Sequence, residues 1–215
     1  NYDGDYEGLV YDLDGELYAV EDRNDRLFKI NPQNANAQLI GSLNLSRSFY
    51  SVGLAVSTNN ELYMVAANDT NSYLYKINKV NGLALEIGPL GIAGVDSIAW
   101  DESTLYGIRT GSTQQLVRIN PSTGNAFVVG DISGISLNEQ SGLSVDANMN
   151  LVGLTESGKL FGLDKQTAES SLLSHIAPGF ESLSIITDHD GDGIPNFWEV
   201  KYGTDPKSKS DALDD

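Results

Sequence analysis

Leu116-Val117-Arg118-Ile119-Asn120-Pro121-Ser122-Thr123-Gly124 decides how this chain is read. Apolar and polar residues share a short run that ends on Asn-Pro and then on a Ser-Thr-Gly turn, the signature of a strand entering a tight connection. The same run recurs as Leu27-Phe28-Lys29-Ile30-Asn31, Leu74-Tyr75-Lys76-Ile77-Asn78 and Leu160-Phe161-Gly162-Leu163-Asp164. Upstream of it, Glu16-Leu17-Tyr18, Glu61-Leu62-Tyr63, Thr104-Leu105-Tyr106 and Asn150-Leu151-Val152 correspond. Further upstream stand Gly8-Leu9-Val10-Tyr11-Asp12, Gly53-Leu54-Ala55-Val56-Ser57, Ser97-Ile98-Ala99-Trp100-Asp101 and Gly142-Leu143-Ser144-Val145-Asp146. Downstream, each copy closes on Gln38-Leu39-Ile40-Gly41, Leu85-Glu86-Ile87-Gly88, Phe127-Val128-Val129-Gly130 or Ser171-Leu172-Leu173-Ser174. A unit of roughly 44 residues is therefore written four times, and a unit this short must bury its apolar face against its neighbours.

Each unit reads as four short strands separated by turn residues such as Asp14-Gly15, Asn59-Asn60, Asn81-Gly82 and Ser157-Gly158. Asn and Gly supply the positive φ that tight hairpins require. No segment before Asn196 carries a helical period. Four antiparallel strands per repeat is the blade of a β-propeller, so the expected fold class is all-β, a propeller of four-stranded antiparallel blades. The pattern Gly-Leu-x-x-Asp, Leu-Tyr, Leu-Tyr-x-Ile-Asn-Pro-x-Thr-Gly, Ile-Gly resembles a widespread class of secreted bacterial propeller repeats, over residues 8 to about 186. Such a resemblance speaks to fold, since propellers host binding, scaffolding and many chemistries. The expected division is a propeller over 1–187 and a C-terminal segment over 188–215.

Glu181-Ser182-Leu183-Ser184-Ile185-Ile186 repeats the first strand a fifth time without the other three. Three arrangements accommodate it. The ring has four blades and the extra strand docks on it; or the ring has five blades and takes its missing strands from residues upstream of Asn1; or the spare strand pairs with another copy of the protein. A closed ring is the expected form, because closure removes edges.

The 215 residues carry a net charge of −17 and no cysteine. Disulfides and thiolate metal sites are excluded, and the acidic field repels phosphate backbones, so no nucleic-acid partner is expected. No apolar run approaches the roughly 20 residues of a membrane helix, so no membrane insertion is expected. The start at Asn1, with no signal-peptide pattern after it, leads us to expect a mature secreted form or a piece of a longer protein.

The sharpest chemical motif is Asp188-His189-Asp190-Gly191-Asp192-Gly193-Ile194-Pro195-Asn196-Phe197-Trp198-Glu199. It fits the loop pattern D-x-D-x-D-G-x₅-E throughout. Asp188, Asp190 and Asp192 present hard oxygens to one side of a tight loop, Gly193 permits the sharp turn, and the Ile194 carbonyl adds an oxygen. Asn196 ligates directly or through water, and Glu199 closes the sphere with both oxygens. The expected cofactor is Ca²⁺, in a structural role. The residues before the loop read as a strand, and Pro195 has no N–H to offer a partner loop, so a lone loop leading into a helix over Asn196–Tyr202 is expected. Gly203 and Pro206 are placed to end it.

With Tyr202-Gly203-Thr204-Asp205-Pro206 and Ser210-Asp211-Ala212, the stretch from Asp188 to Asp215 resembles the bacterial thrombospondin type 3-like calcium repeats. That resemblance implies a second acidic loop, so Asp205, Asp211, Asp214 and Asp215 are candidate ligands of a second, incomplete site. It also implies a secreted or cell-surface protein, since such extracellular modules bind calcium at about 10⁻⁴–10⁻³ M.

The residue that opens each first strand is Glu7, Val52, Asp96, Ser141 and Glu181. The acids would converge at one mouth of the channel, either as a cation site, sugar site or glycosidase pair, or as acceptors for backbone N–H groups at the strand starts. The second role is the one repeat geometry favours. Asp12-Leu13-Asp14-Gly15 is read as a polar turn, and neither His175 nor His189 has a catalytic setting. Tyr2, Tyr6, Phe49, Tyr50 and Phe180 fall near loops, where aromatics cover core ends or stack on sugars. The expected function is binding or assembly, non-enzymatic, with a protein or glycan ligand at a cell surface or matrix. Alternatives are a polysaccharide-active enzyme using Glu7, Asp96 and Glu181, and self-association through the spare strand.

Overall fold

The computed structural model describes residues 6–210 apart from 102, 138–140, 181, 187, 189 and 206. Among the described residues, sixteen strands make four four-stranded antiparallel sheets, each a meander in sequence order. Blade 1 holds β1 (Tyr6–Tyr11), β2 (Leu17–Glu21), β3 (Arg26–Ile30) and β4 (Ala37–Ser42). Blade 2 holds β5 (Ser51–Val56), β6 (Leu62–Ala67), β7 (Ser72–Ile77) and β8 (Ala84–Pro89). Blade 3 holds β9 (Val95–Trp100), β10 (Leu105–Arg109), β11 (Gln115–Ile119) and β12 (Ala126–Asp131). Blade 4 holds β13 (Ser141–Val145), β14 (Leu151–Thr155), β15 (Lys159–Leu163) and β16 (Ser170–His175). The protein is thus a four-bladed β-propeller. Among the described residues no helix is long and apolar enough to cross a membrane.

The first strand of each blade packs beside that of the next, β1 on β5, β5 on β9 and β9 on β13. Side chains on both faces of the second strands are buried, which is why Leu62-Tyr63-Met64-Val65-Ala66-Ala67 is apolar without alternation. Three cores form between successive blades. Val20, Leu27 and Leu43 meet Leu54, Leu62 and Met64. Val65, Leu74 and Leu90 meet Ile98, Leu105 and Val117. Ile108, Leu116 and Ile132 meet Leu143, Leu151 and Phe161. Each such fully buried side chain stabilises the fold by about 1.5–3 kcal/mol. Near the loops, Tyr6 packs edge-on to Phe28 at 5.5 Å and Phe49 to Tyr73 at 5.9 Å, while Tyr50 and Phe180 are exposed and Tyr2 lies outside the described residues.

One device recurs in every blade. The outer strand bulges by one residue where the pairing shifts, and the residue left over is Ile40, Ile87, Val129 or Leu173. The bulge turns that side chain toward the next blade, and Ile40, Ile87 and Val129 each join the core formed there. Leu173, on the last blade among the described residues, is 55% exposed. The glycine after the bulge has a matching reason. A methyl group at Gly41, Gly88 or Gly130 would stand 2.1, 2.3 or 3.0 Å from the carbonyl oxygen of Asn81, Thr123 or Thr167 in the next blade's outer turn. Blade 4 carries Ser174 at this place.

The fifth copy of the first strand lies between blades 4 and 1. Ser182 Oγ accepts the Leu9 N–H and Ser184 Oγ the Tyr11 N–H, both at 3.0 Å. On the other side, Ser144 Oγ accepts the Ile185 N–H at 3.1 Å. Alternate serines therefore staple this segment to β1 through hydroxyls, in place of a backbone ladder. The described residues form four full blades, and the fifth first strand fills the place between blade 4 and blade 1.

Beyond it, α1 spans Asn196–Tyr202. Gly203 ends it in the left-handed region at φ 85°, with its N–H on the Glu199 carbonyl.

Candidate metal centre

Asp188, Asp190 and Asp192 each offer an oxygen, and the three oxygens lie within 4.8 Å of one another. The loop holds them there with its own backbone. Asp188 Oδ1 accepts the Gly191 N–H at 2.8 Å and Oδ2 the Gly193 N–H at 3.0 Å. Asp190 Oδ1 accepts the Asp192 N–H at 3.2 Å, and Asp192 Oδ1 the Ile194 N–H at 2.7 Å. Gly191 and Gly193 take φ of 70° and 98°, which side chains resist, so two glycines are needed for this fold-back. The second oxygens of Asp190 and Asp192 are buried and accept no hydrogen bond among the described residues. An acceptor buried without a donor is costly, and a hard cation relieves it.

The remaining positions of the motif fall as follows. Glu199 sits in the first turn of α1 and is 1% exposed. Asn196, the first residue of α1, also lines a cavity in the central channel. Ile194 leads into Pro195, whose carbonyl accepts the Trp198 N–H at 2.8 Å and so starts the helix. Asp205 is exposed and caps its own turn, Oδ1 accepting the Lys207 N–H at 3.1 Å. Asp211, Asp214 and Asp215, the other candidates for a second site, lie outside the described residues, as does His189.

At the channel mouth, Glu7 is buried and its Oε2 accepts the Val52 N–H of the next blade at 2.9 Å. Asp96 is buried, with Oδ2 accepting the Thr110 hydroxyl at 2.5 Å. Burial pushes the Asp96 carboxyl up to about 8, the Thr110 hydroxyl opposes this, and the Glu7 charge adds to it. Ser141 is buried in the equivalent place on β13, and Glu181 lies outside the described residues. Glu7 and Asp96 do not line the channel cavity, whose wall comes from the opposite ends of the first strands.

Sequence reading missed a set of contacts between blades. Lys79 Nζ of blade 2 meets Asp12 Oδ2 of blade 1 at 2.7 Å, and Lys165 Nζ of blade 4 meets Asp101 Oδ2 of blade 3 at 2.9 Å. Burial raises the Asp101 carboxyl, but the Ser103 and Thr104 N–H groups and Lys165 outweigh it and hold it below the usual range. The signal was present in the repeats. Lysine follows the Asn or Asp of Asn78-Lys79 and Asp164-Lys165, whereas Pro121 follows Asn120, and there the preceding blade has Ser57 instead of an acid.

Residues 4–169 match the family described as a repeat of unknown function, DUF6923. The chain belongs to that family. No curated protein matches the DUF6923 chain in sequence. Among solved structures it is similar to the nidogen/laminin complex, at 13% identity and TM-score 0.60, covering 85% of this chain and 69% of that one. It is similar to a protein of unknown function from Bacteroides thetaiotaomicron, at 14% identity and TM-score 0.57, covering 78% of this chain and 42% of that one. It is also similar to XC5397, a gluconolactonase from Xanthomonas campestris, at 14% identity and TM-score 0.57, covering 85% and 65%. The DUF6923 chain therefore spans less than half of the Bacteroides thetaiotaomicron structure, and at such identities the likeness is one of fold alone.

Proposed function

We propose that the chain is a secreted or cell-surface binding module, a non-enzymatic propeller for a protein or glycan ligand, carrying a C-terminal connector that Ca²⁺ orders. The observation that carries this reading is the loop at Asp188–Glu199. Three aspartates bring oxygens together, Asp190 and Asp192 each hold one buried oxygen with no donor among the described residues, and glutamate stands at the twelfth position. Without a cation the carboxylates repel one another and hold the loop open. A divalent ion reverses the sign of that interaction. All donors are hard oxygens, which suits calcium over zinc or copper. Asp188, Asp190, Asp192 and Glu199 would hold the ion, with Asn196 and the Ile194 carbonyl completing the sphere. Binding at about 10⁻⁴–10⁻³ M is useful only where calcium is abundant, which supports an extracellular setting.

The burial of Glu7 and Asp96, with Glu7 tied to the Val52 N–H and Asp96 to the Thr110 hydroxyl and neither lining the channel cavity, supports the non-enzymatic reading. The test is limited proteolysis of the full chain in 5-fold steps of calcium around the range of about 10⁻⁴–10⁻³ M, against chelator. The expected result is calcium-dependent protection between Ile186 and Trp198, absent in Glu199→Gln. Equal cleavage in calcium and chelator would overturn the connector reading. Turnover of any member of a polysaccharide panel, lost in Asp96→Asn, would overturn the non-enzymatic one.

A further inference from the structure

A cleft lies outside the channel, between blade 1 and the C-terminal connector. Its volume is about 670 Å³, inside the range of about 300–1,000 Å³ that ligand sites occupy. One wall comes from β3, β4 and the turn between them, with Gln33, Asn36 and Gln38. The other comes from the docked fifth strand and the connector, with Ile186, Pro195 and Trp198. The three amide residues are exposed, and Trp198 is 40% exposed, so the residues that line the cleft also present surface to solvent.

The charges in the cleft cancel. Glu16 and Lys29 both line it and pair with each other at 2.7 Å. A locally neutral cleft on a chain of net charge −17 selects a neutral ligand over an anionic one. The ion pair recurs in blade 2 as Glu61 and Lys76, so it belongs to the repeat. The amides do not. In the places of Gln33, Asn36 and Gln38, blade 2 carries Val80, Leu83 and Leu85, all exposed. The fold thus accepts apolar side chains there, and the amides of blade 1 are not required by it. Their side chains make no hydrogen bond among the described residues. Each amide offers two donors and an acceptor, the set that matches the hydroxyls of a saccharide. Across the cleft, Trp198 stacks in parallel on Tyr202, with centroids 5.2 Å apart, which fixes the indole on α1. An aromatic surface opposite amides receives the C–H face of a sugar ring while the hydroxyls at its edge are bonded.

We propose that this cleft binds a neutral saccharide chain, with a sugar ring packed on Trp198 and its hydroxyls bonded by Gln33, Asn36 and Gln38. This rests on the reading of the chain as a binding module and names the class of its glycan. Pro195 and Trp198 belong to the motif that holds the ion, so the metal loop and the cleft share one wall, whereas the amide wall is built by blade 1 alone.

The experiment is native electrophoresis of the full chain, in calcium, through gels that contain hydroxyethylcellulose, mixed-linkage β-glucan, galactomannan, xyloglucan or soluble starch, with polygalacturonate as the charged control. Calcium uptake is followed separately by equilibrium dialysis. The expected result is retardation by at least one neutral polymer and none by polygalacturonate. The triple change Gln33→Val, Asn36→Leu and Gln38→Leu copies blade 2 and leaves the metal loop intact. It should weaken binding of that polymer about tenfold or more, with calcium uptake unchanged. Trp198→Ala should weaken it about tenfold, and Trp198→Phe, which keeps an aromatic surface, should retain most of it. Calcium uptake without retardation by any neutral polymer overturns the saccharide site and leaves the metal loop standing. Retardation without calcium uptake, lost in the triple variant, supports the saccharide site and overturns the metal loop alone. Retardation by polygalacturonate only, or retardation that survives the triple change undiminished, overturns the saccharide site.

Discussion

Asp96 is expected to make this propeller lose stability as the pH rises toward 8. The carboxyl is 6% exposed and is held neutral by burial, its titration moved from the ordinary 3.8 to about 8. In the unfolded chain it ionises near 4, so between about 4 and 8 folding must take up a proton. A group whose folded value is raised contributes its stability fully below the unfolded value and loses it as pH rises through the folded one. Each unit of separation is about 1.4 kcal/mol, so the separation of the two values sets a limit of about 5–6 kcal/mol over the window. Hydration of the ionised site lowers that limit, and a loss of about 3 kcal/mol between pH 5 and pH 8 is the working expectation. The perturbation is Asp96→Asn, which keeps an acceptor for the Thr110 hydroxyl and removes the titration. The assay is urea unfolding of both proteins at pH 5, 6.5, 8 and 9 in chelator, which holds the metal loop in one state. Repulsion from the net charge of −17 falls on both proteins and cancels in the difference. The two stability curves should converge toward pH 5 and separate as pH rises, with Asp96→Asn the more stable at pH 8 and above. Parallel curves across the whole range would refute the reasoning.

Three further perturbations test how the blades are joined. Ile87→Ala empties a bulge position that packs into the next blade and should cost about 1–3 kcal/mol in urea unfolding, whereas Leu173→Ala, exposed at the last blade, should cost less than about 0.5 kcal/mol. Gly41→Ala drives a methyl to within 2.1 Å of the Asn81 carbonyl oxygen and should lower the midpoint by several degrees, with about 2 kcal/mol or more lost, while Ser174→Ala at the equivalent place in blade 4 should be near neutral. Lys79→Ala leaves the buried Asp12 carboxylate short of its cation and should cost about 1–3 kcal/mol, and the double change Asp12→Ser with Lys79→Pro, copying Ser57 and Pro121, should recover most of it in a double-mutant cycle.

The blades were legible because each strand run repeats four times, so that a weak alternation such as that of Leu160–Leu163 is supported by three stronger copies. The bounds of α1 were legible for a local reason, since Pro195 and Gly203 act on the backbone within a few residues. The bulge was not legible. A one-residue shift between β3 and β4 leaves no mark on composition, and only the different burial of Ile87 and Leu173 reveals what it does. The place of the fifth first strand was open for a similar reason, because Ser182 and Ser184 look like ordinary strand serines until their hydroxyls are seen on Leu9 and Tyr11. The metal loop was legible as a motif, since its chemistry is consecutive in sequence. The acids Glu7 and Asp96 were legible as a ring but not as a role, because the deciding partners, Val52 and Thr110, lie in another blade or another strand.

The measurement that tests the metal centre most directly is a calcium titration followed by tryptophan emission, with Glu199→Gln alongside. Trp198 lies in α1, is stacked on Tyr202 at 5.2 Å, and is 40% exposed, so ordering of the loop changes its surroundings. Trp100, inside the propeller, supplies a background common to the unmodified chain and Glu199→Gln. A single saturable change with a midpoint near about 10⁻⁴–10⁻³ M, lost in Glu199→Gln, is the result this account predicts. An emission spectrum that stays the same to ten times that range, or one that changes equally in Glu199→Gln, would contradict it.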